Sequence, residues 1–243
     1  MTLAGRRALV TGASRGIGAA TARVLAAAGA SVAVSARTRA ALDELVADLP
    51  PIGPGHTPHV AVAADLAAAE GVAFLAERVR AWCGGAPDII VNNAGAFAIA
   101  RVEAQDPGDF ARTLAVNVEA PFRVIHAFLA AMRERGSGDI INVGSVADRQ
   151  VLAGNAAYGA SKYAMRAMHE ALRAETRGSG VRATLVSPGP VDTDIWAPVE
   201  DQLGKKLPAR SQMLRADDVA RVIAFVVAQP AHVDVDELRL THA

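Results

Sequence analysis

Thr11-Gly12-Ala13-Ser14-Arg15-Gly16-Ile17-Gly18 closes a short apolar run, Arg7 to Thr11, and leads at once into the helix-forming residues Ala19, Ala20, Ala22 and Leu25. Glycines thus lie where a strand turns into a helix. Without Cβ atoms the backbone can turn tightly there and approach a pyrophosphate, while free amides and the positive end of the helix dipole face the negative charge. Gly12, Ser14, Arg15, Gly16, Ile17 and Gly18 are therefore candidate cofactor-binding residues. The spacing is G-x3-G-x-G rather than G-x-G-x-x-G. Taken alone it also fits a strand-to-helix turn that holds no ligand; its place after the first strand favours the nucleotide.

Outward from this turn, short β-branched runs alternate with alanine-rich stretches of helical period. Strands are expected at Arg7 to Thr11, Ser31 to Ser35, His59 to Ala63, Asp88 to Asn92, Asp139 to Val143, Arg182 to Val186 and Val235 to Leu240. Helices are expected near Gly16 to Ala28, Thr38 to Leu49, Leu66 to Ala81, Asp106 to Arg135, Tyr158 to Arg177 and Ala216 to Ala228. Most strand runs are continuously apolar, which suits a parallel sheet covered on both faces. The expectation is a single-domain α/β fold over 1–243, a doubly wound, Rossmann-like parallel sheet of about seven strands flanked by helices. The Pro/Gly cluster Pro50 to Pro58 reads as a surface loop.

Composition narrows the function. The 243 residues carry 25 Lys+Arg against 25 Asp+Glu, a balance with no basic field for nucleic acid or an anionic membrane. Apolar stretches are broken before the roughly 20 residues a bilayer span needs. Only Met1 to Gly5 precede the first strand-like run, and the single cysteine, Cys83, cannot form an internal disulfide. A cytoplasmic protein is expected. His126 and His169 have no acid or cysteine at ligand spacing, so no metal site is expected.

A site that prefers NAD usually has an acid at the end of the second strand, about 20 residues past the glycines. Here that place reads Ser35-Ala36-Arg37-Thr38-Arg39, and the first acid is Asp43. Arg15 and Arg37 can both face a 2′-phosphate through charge-assisted hydrogen bonds, which favours NADP(H). The alternative is that Arg37 and Arg39 simply begin a solvated helix. Asp65, followed by Leu66, ends the third strand, where its carboxylate either accepts from the adenine amino group or caps the next helix.

Three further segments bear on chemistry: Asn92-Asn93-Ala94-Gly95, Ser145, and Tyr158-Gly159-Ala160-Ser161-Lys162. Tyr158 and Lys162 are four residues apart, so a helix stacks them on one face. Moving a phenol from its pKa near 10 to about 7 takes roughly 4 kcal/mol, the order supplied by one cation at about 4 Å. A tyrosine tuned in this way works as acid or base near neutral pH. Ser145 lies at the carboxyl end of its strand, where open α/β sheets bind ligands, and its hydroxyl can hold a substrate oxygen.

With these residues in hand, the sequence closely resembles the compact short-chain dehydrogenase/reductases. Thr11 to Gly18, Asn92 to Gly95, Asn117, Ser145, Tyr158, Lys162 and Pro188-Gly189 occur in that family's order over nearly the whole chain. The resemblance implies hydride transfer between a nicotinamide and a carbonyl or alcohol. Tyr158 would exchange the proton, Ser145 orient the oxygen, and Lys162 bind the nicotinamide ribose and depress the phenol's pKa. Asn117 would be the fourth catalytic member, supporting a water relay to the lysine. Asn93, Ala94, Gly95, Pro188, Gly189, Val191 and Thr193 would contact the cofactor. A homodimer or homotetramer is implied as well. Independently, Pro121 lies four residues beyond Asn117 and has no amide hydrogen for its carbonyl, so a kink is expected, whether for water or for packing alone.

Val146, Gln150 and Trp196 are the candidate substrate residues beside Ser145 and Tyr158, in a mostly apolar pocket. Gln150 and Asp148 can contact polar substrate groups, although solvation is the more ordinary fate of Asp148. The breaker-rich segment 190–212 reads either as a substrate lid or as a surface loop with Trp196 packed on the core. The reading is an NADP(H)-dependent oxidoreductase of a small carbonyl or secondary alcohol. A 3-oxoacyl thioester reductase is the alternative within the class; the ending Val235 to Ala243, without the glycine-containing segment of many acyl-carrier-protein reductases, weakens it. A non-catalytic NADP(H) sensor would need the cradle but not Tyr158. A sugar-nucleotide epimerase is disfavoured by the short stretch after Pro188.

Overall fold

Consecutive residues of an extended strand face opposite ways, so a run apolar at every position can be buried only between two helical layers. The computed structural model, which describes residues 2–53, 55–199 and 208–243, shows that arrangement. Strands β1 (Arg7–Thr11), β2 (Ser31–Ala36), β3 (Val60–Ala63), β4 (Ile89–Asn92), β5 (Gly138–Val143), β6 (Val181–Pro188) and β9 (Glu237–Leu240) form one sheet. Its order is β3-β2-β1-β4-β5-β6-β9, and every pairing is parallel. Two further two-residue strands, β7 (Val191–Asp192) and β8 (Leu214–Arg215), pair in parallel outside it.

Helices α1 (Gly16–Ala27), α2 (Arg39–Asp48) and α7 (Ala216–Val227) cover one face, burying Leu25, Leu42 and Ile223 with Val10, Val34 and Val91. Helices α3 (Ala69–Cys83), α5 (Ala120–Arg135) and α6 (Ala156–Thr176) cover the other, where Leu75, Phe128 and Leu172 meet Leu9, Ile90 and Ile140. Cys83 is buried in this second layer, and burial pushes its thiol up, as for a packed rather than a nucleophilic cysteine. The opposite end of the sheet is tied by ion pairs, among them Arg7 with Asp88 at 3.1 Å and Arg182 with Asp139 at 2.7 Å.

Two expected helices differ. The third begins at Ala69 rather than Leu66, because the Asp65 carboxylate accepts from the Ala67 amide at 3.1 Å and turns the chain first. The long helix expected from Asp106 has three parts: α4 (Pro107–Leu114), a π-turn over Ala115–Glu119, and α5. Asp106 caps it, accepting from the Gly108 and Asp109 amides at 2.7 and 3.0 Å. In the π-turn the Ala120 amide reaches the Ala115 carbonyl, five residues back, just before Pro121, which has no proton to give. Pro107–Arg135 is long and apolar enough to cross a membrane by length and composition, yet Val124, Phe128 and Met132 are buried against the sheet.

Sequential order reverses between β1 and β4, so a crevice opens beyond their carboxyl ends, where doubly wound sheets bind ligands.

Candidate active site

The glycine loop lies at that crevice. Gly12 and Gly16 take left-handed φ values of +65° and +56°. A Cβ on Gly12 would stand 2.7 Å from the Ala94 Cα, and one on Gly18 would stand 2.3 Å from the Gly12 carbonyl oxygen. These glycines are thus required for packing as well as for turning. At the start of α1 no side chain caps the helix and no acid occupies the first turn. Its amides and positive dipole end face the crevice, a donor set suited to a pyrophosphate. Ser14 is partly exposed, while Ile17 packs its side chain against the core.

The loop is fastened to Asn93 and Ala94 through one hydroxyl and one side-chain amide. Thr11 Oγ1 donates to the Val91 carbonyl at 3.2 Å and accepts from the Asn93 and Ala94 amides, each at 3.1 Å. The Asn93 side-chain amide donates to the carbonyls of Thr11 and Gly12 at 2.9 and 3.1 Å. Asn93 therefore shapes the cradle from behind, a duty its motif spacing does not reveal.

Asn117 sits in the π-turn, 1% exposed, with its side chain fully engaged. Oδ1 accepts from the Ala96 amide at 2.7 Å; Nδ2 donates to the Ala96 carbonyl and to Ser161 Oγ, both at 2.9 Å. Ser161 in turn donates to the Tyr158 carbonyl at 2.7 Å. One amide side chain thus pins the loop after β4 to the turn of α6 that bears Tyr158.

Ser145 follows β5 and opens a single 3-10 turn, its hydroxyl accepting from the Ala147 amide at 3.1 Å. Tyr158 and Lys162 share one face of α6. The Lys162 ammonium donates to the Val143 carbonyl at 2.9 Å and lies 5.4 Å from the centre of the Tyr158 ring. The expectation that Lys162 depresses the phenol's pKa is corrected here. Although Tyr158 keeps an edge in the open cleft, burial pushes it up to about 12; Ser145 pulls it down through hydrogen bonding, and Asp148 raises it further. Burial lowers Lys162 to about 8, with Asp148 acting against it. Desolvation outweighs the Ser145 hydrogen bond, and the Lys162 nitrogen is bonded at Val143. Tyr158 is accordingly an acid that holds its proton at neutral pH.

Around this centre, Phe97 stands edge-on to Tyr158 with ring centres 4.8 Å apart, and to Trp196 at 5.2 Å. Trp196 also donates to the Val191 carbonyl at 2.8 Å, so it is packed in the crevice rather than on a remote surface. Val146 is partly buried in the Ser145 turn, whereas Gln150 is exposed. The expectation for Asp148 is overturned: it is 0% exposed, accepting from Ser187 Oγ, because a Cβ is missing at Gly144.

On the nucleotide side, Arg15 pairs with Asp194 at 3.8 Å, and Thr193 packs beside Gly16. Arg37 is exposed just beyond β2, while Arg39 bonds Asp43 at 2.8 Å along α2 and serves the helix surface. Asp65 is exposed, 3.7 Å from Arg112 on α4, and Leu66 is buried. Pro188 ends β6, and the Gly189 amide donates to the Leu240 carbonyl at 2.7 Å. In the segment 190–212, β7 and the 3-10 helix Asp194–Val199 are ordered elements; its stretch 200–207 lies outside the described residues.

A crevice built in this way places the chain among the doubly wound oxidoreductases that use nicotinamide cofactors. The chain belongs to the short chain dehydrogenase family, whose sequence profile matches residues 6–204. It is 32% identical to an uncharacterized oxidoreductase of Staphylococcus epidermidis over 96% of this chain and 95% of that protein. It is 35% identical to a glycine betaine reductase of Emericella nidulans over 97% of this chain, but spans only 18% of that protein's length. A metagenomic short-chain oxidoreductase solved in complex with NADP superposes with a TM-score of 0.79 at 33% identity, covering 99% of both chains.

Proposed function

We propose that this chain is an NADP(H)-dependent oxidoreductase that moves a hydride between the nicotinamide and a small carbonyl compound or secondary alcohol. The carrying observation is the convergence of Ser145, Tyr158 and Lys162 at the carboxyl end of the sheet, beside an uncapped helix start. A nicotinamide bound there supplies or accepts the hydride. The chain's own residues do the rest. The α1 amides and Arg15 hold the phosphates, and Arg37 takes the 2′-phosphate that an acid at that place would repel. Ser145 holds the substrate oxygen. In reduction, Tyr158 Oη gives its proton to that oxygen, a role suited to a phenol that is neutral across the physiological range. Lys162 lies one helical turn behind as the local positive charge. Phe97 and Trp196 give the entrance an apolar, aromatic wall, which favours small uncharged carbonyl groups. The protein acts in the cytoplasm as a homodimer or homotetramer.

The test follows nicotinamide absorbance over ketones, aldehydes, diketones and oxoacyl thioesters, with NADPH and NADH compared. Tyr158→Phe is expected to bind NADPH like the parent and to lose turnover by about 10²–10⁴-fold. Full activity of that variant on a true substrate overturns the proton-transfer assignment. A preference for the thioesters moves the substrate to the oxoacyl class. NADPH binding without turnover on any carbonyl leaves the sensor reading.

A further inference from the structure

Two ionisable side chains are buried at the carboxyl end of the sheet, Lys162 at 6% and Asp148 at 0% exposure. The other buried acid among the described residues, Asp139, lies at the opposite end, where it bonds Arg182. The neighbour bonded to Lys162 Nζ is a neutral carbonyl, that of Val143. A buried ammonium without a counter-charge is costly, and a neutral acceptor cannot offset that cost.

Asp148 is built in rather than tolerated. Its carboxylate Oδ2 accepts from Ser187 on β6, and its amide donates to the Ser145 carbonyl at 2.9 Å. Any Cβ at Gly144 would stand 2.7 Å from Ser187 Oγ and 3.1 Å from Asp148 Oδ2, so glycine there makes room for the pair. The second oxygen, Oδ1, is buried with no hydrogen-bond partner among the described residues. It lies 4.0 Å from Arg149 Nε and 4.0 Å from an Arg166 guanidinium nitrogen. Both arginines are drawn outward by Glu237 on β9, and Arg166 also by Glu170 on α6.

We propose that Asp148 is a positioning residue of the candidate active site: its fixed buried charge keeps Lys162 an ammonium, and its turn holds Ser145 in place. This rests on the reading above, in which that ammonium serves the reaction. Among the described residues, the titratable and charged groups around Asp148 are Lys162, Arg166 and the neutral Tyr158 phenol on α6 and Arg149 on its own turn, with the Ser187 hydroxyl on β6 and Glu237 on β9 behind the arginines. Electrostatically, Asp148 raises both Lys162 and Tyr158, the sign expected of a nearby anion.

The chain has three lysines, Lys162, Lys205 and Lys206, so NMR of 13C-labelled lysine Cε resolves each, with Lys162→Met giving the assignment. The titration needs neither substrate nor turnover. Asp148→Asn keeps the shape and an acceptor for Ser187, and is expected to lower the Lys162 midpoint by about one pH unit. Arg166→Gln removes a cation from the same cluster and is expected to raise it. Loss of packing alone would not produce opposite signs. A Lys162 midpoint unchanged or raised in Asp148→Asn overturns the proposal. Should that variant not fold, an Arg166→Gln midpoint that stays or falls overturns it equally. A true-substrate assay in which Tyr158→Phe stays fully active sinks the proton-transfer assignment on which this rests while leaving these midpoints as they are.

Discussion

The Lys162 ammonium is bonded to the Val143 carbonyl, 2.9 Å away, and not to the hydroxyl of Tyr158 one helical turn before it. The pair therefore works through position and field, with the lysine anchored to the end of β5. The stability of the fold carries the signature of this burial. Lys162 falls from 10.5 to about 8 in the folded state. Below about 8 both states hold the proton and the full cost is present; from there to 10.5 the unfolded chain binds more protons, so stability rises with pH. The rise attributable to this side chain is about 3 kcal/mol. Urea unfolding at pH 8 and pH 10 is expected to show most of it, about 2 kcal/mol, in the parent and not in Lys162→Met, that interval lying inside the 8-to-10.5 window.

Gly18→Ala places a methyl group 2.3 Å from the Gly12 carbonyl oxygen and 2.5 Å from the Asn93 amide nitrogen, both parts of the cradle. The loop must shift, costing about 1–3 kcal/mol. NADPH affinity, measured by nicotinamide fluorescence, is expected to drop by about tenfold or more. Gly159→Ala on α6 is the control: a Cβ there meets nothing within 4 Å, and helix propensity favours alanine by about 0.5–1 kcal/mol.

Asn117→Ala removes three hydrogen bonds at once and strands the Ala96 amide and carbonyl. A loss of about 2–4 kcal/mol in unfolding free energy is expected. Turnover should fall as well, since this side chain and Ser161 join the Ala96 backbone to the Tyr158 turn; a variant with parental stability would contradict the tie.

Arg37→Ala takes away the exposed guanidinium beyond β2. The preference for NADPH over NADH is expected to narrow by about 10–100-fold, the worth of one charge-assisted contact. An unchanged ratio in competing-cofactor assays assigns the 2′-phosphate to Arg15 instead.

The sheet was legible because parallel strands leave continuous apolar runs, and its seven runs lie within a few residues of their expected places. The strands β7 and β8 were not: two residues each, they pair across the segment between them and carry no periodicity of their own. Pro121 announced a break near Asn117, since a missing amide proton is written in the sequence. The grip of Asn117 on Ala96 was hidden, because it depends on how the β4 loop folds back. Asp148 was misread for a similar reason: its burial depends on the missing side chain of Gly144 and on Ser187, 39 residues later. For Tyr158, spacing revealed the neighbouring cation but not the desolvation that raises the phenol.

Thr11 carries its hydroxyl at full valence, one proton given and two lone pairs taken. Three of the bonds that tie the nucleotide turn to β4 and the loop beyond it thus meet at one oxygen atom, beside the two that the Asn93 side chain adds. Valine, identical in outline, would leave only the Asn93 bonds to hold them, whereas serine would keep the clasp. Engineers seeking a new cofactor or a wider entrance must accordingly redesign these two loops together, because neither can drift without dragging the other.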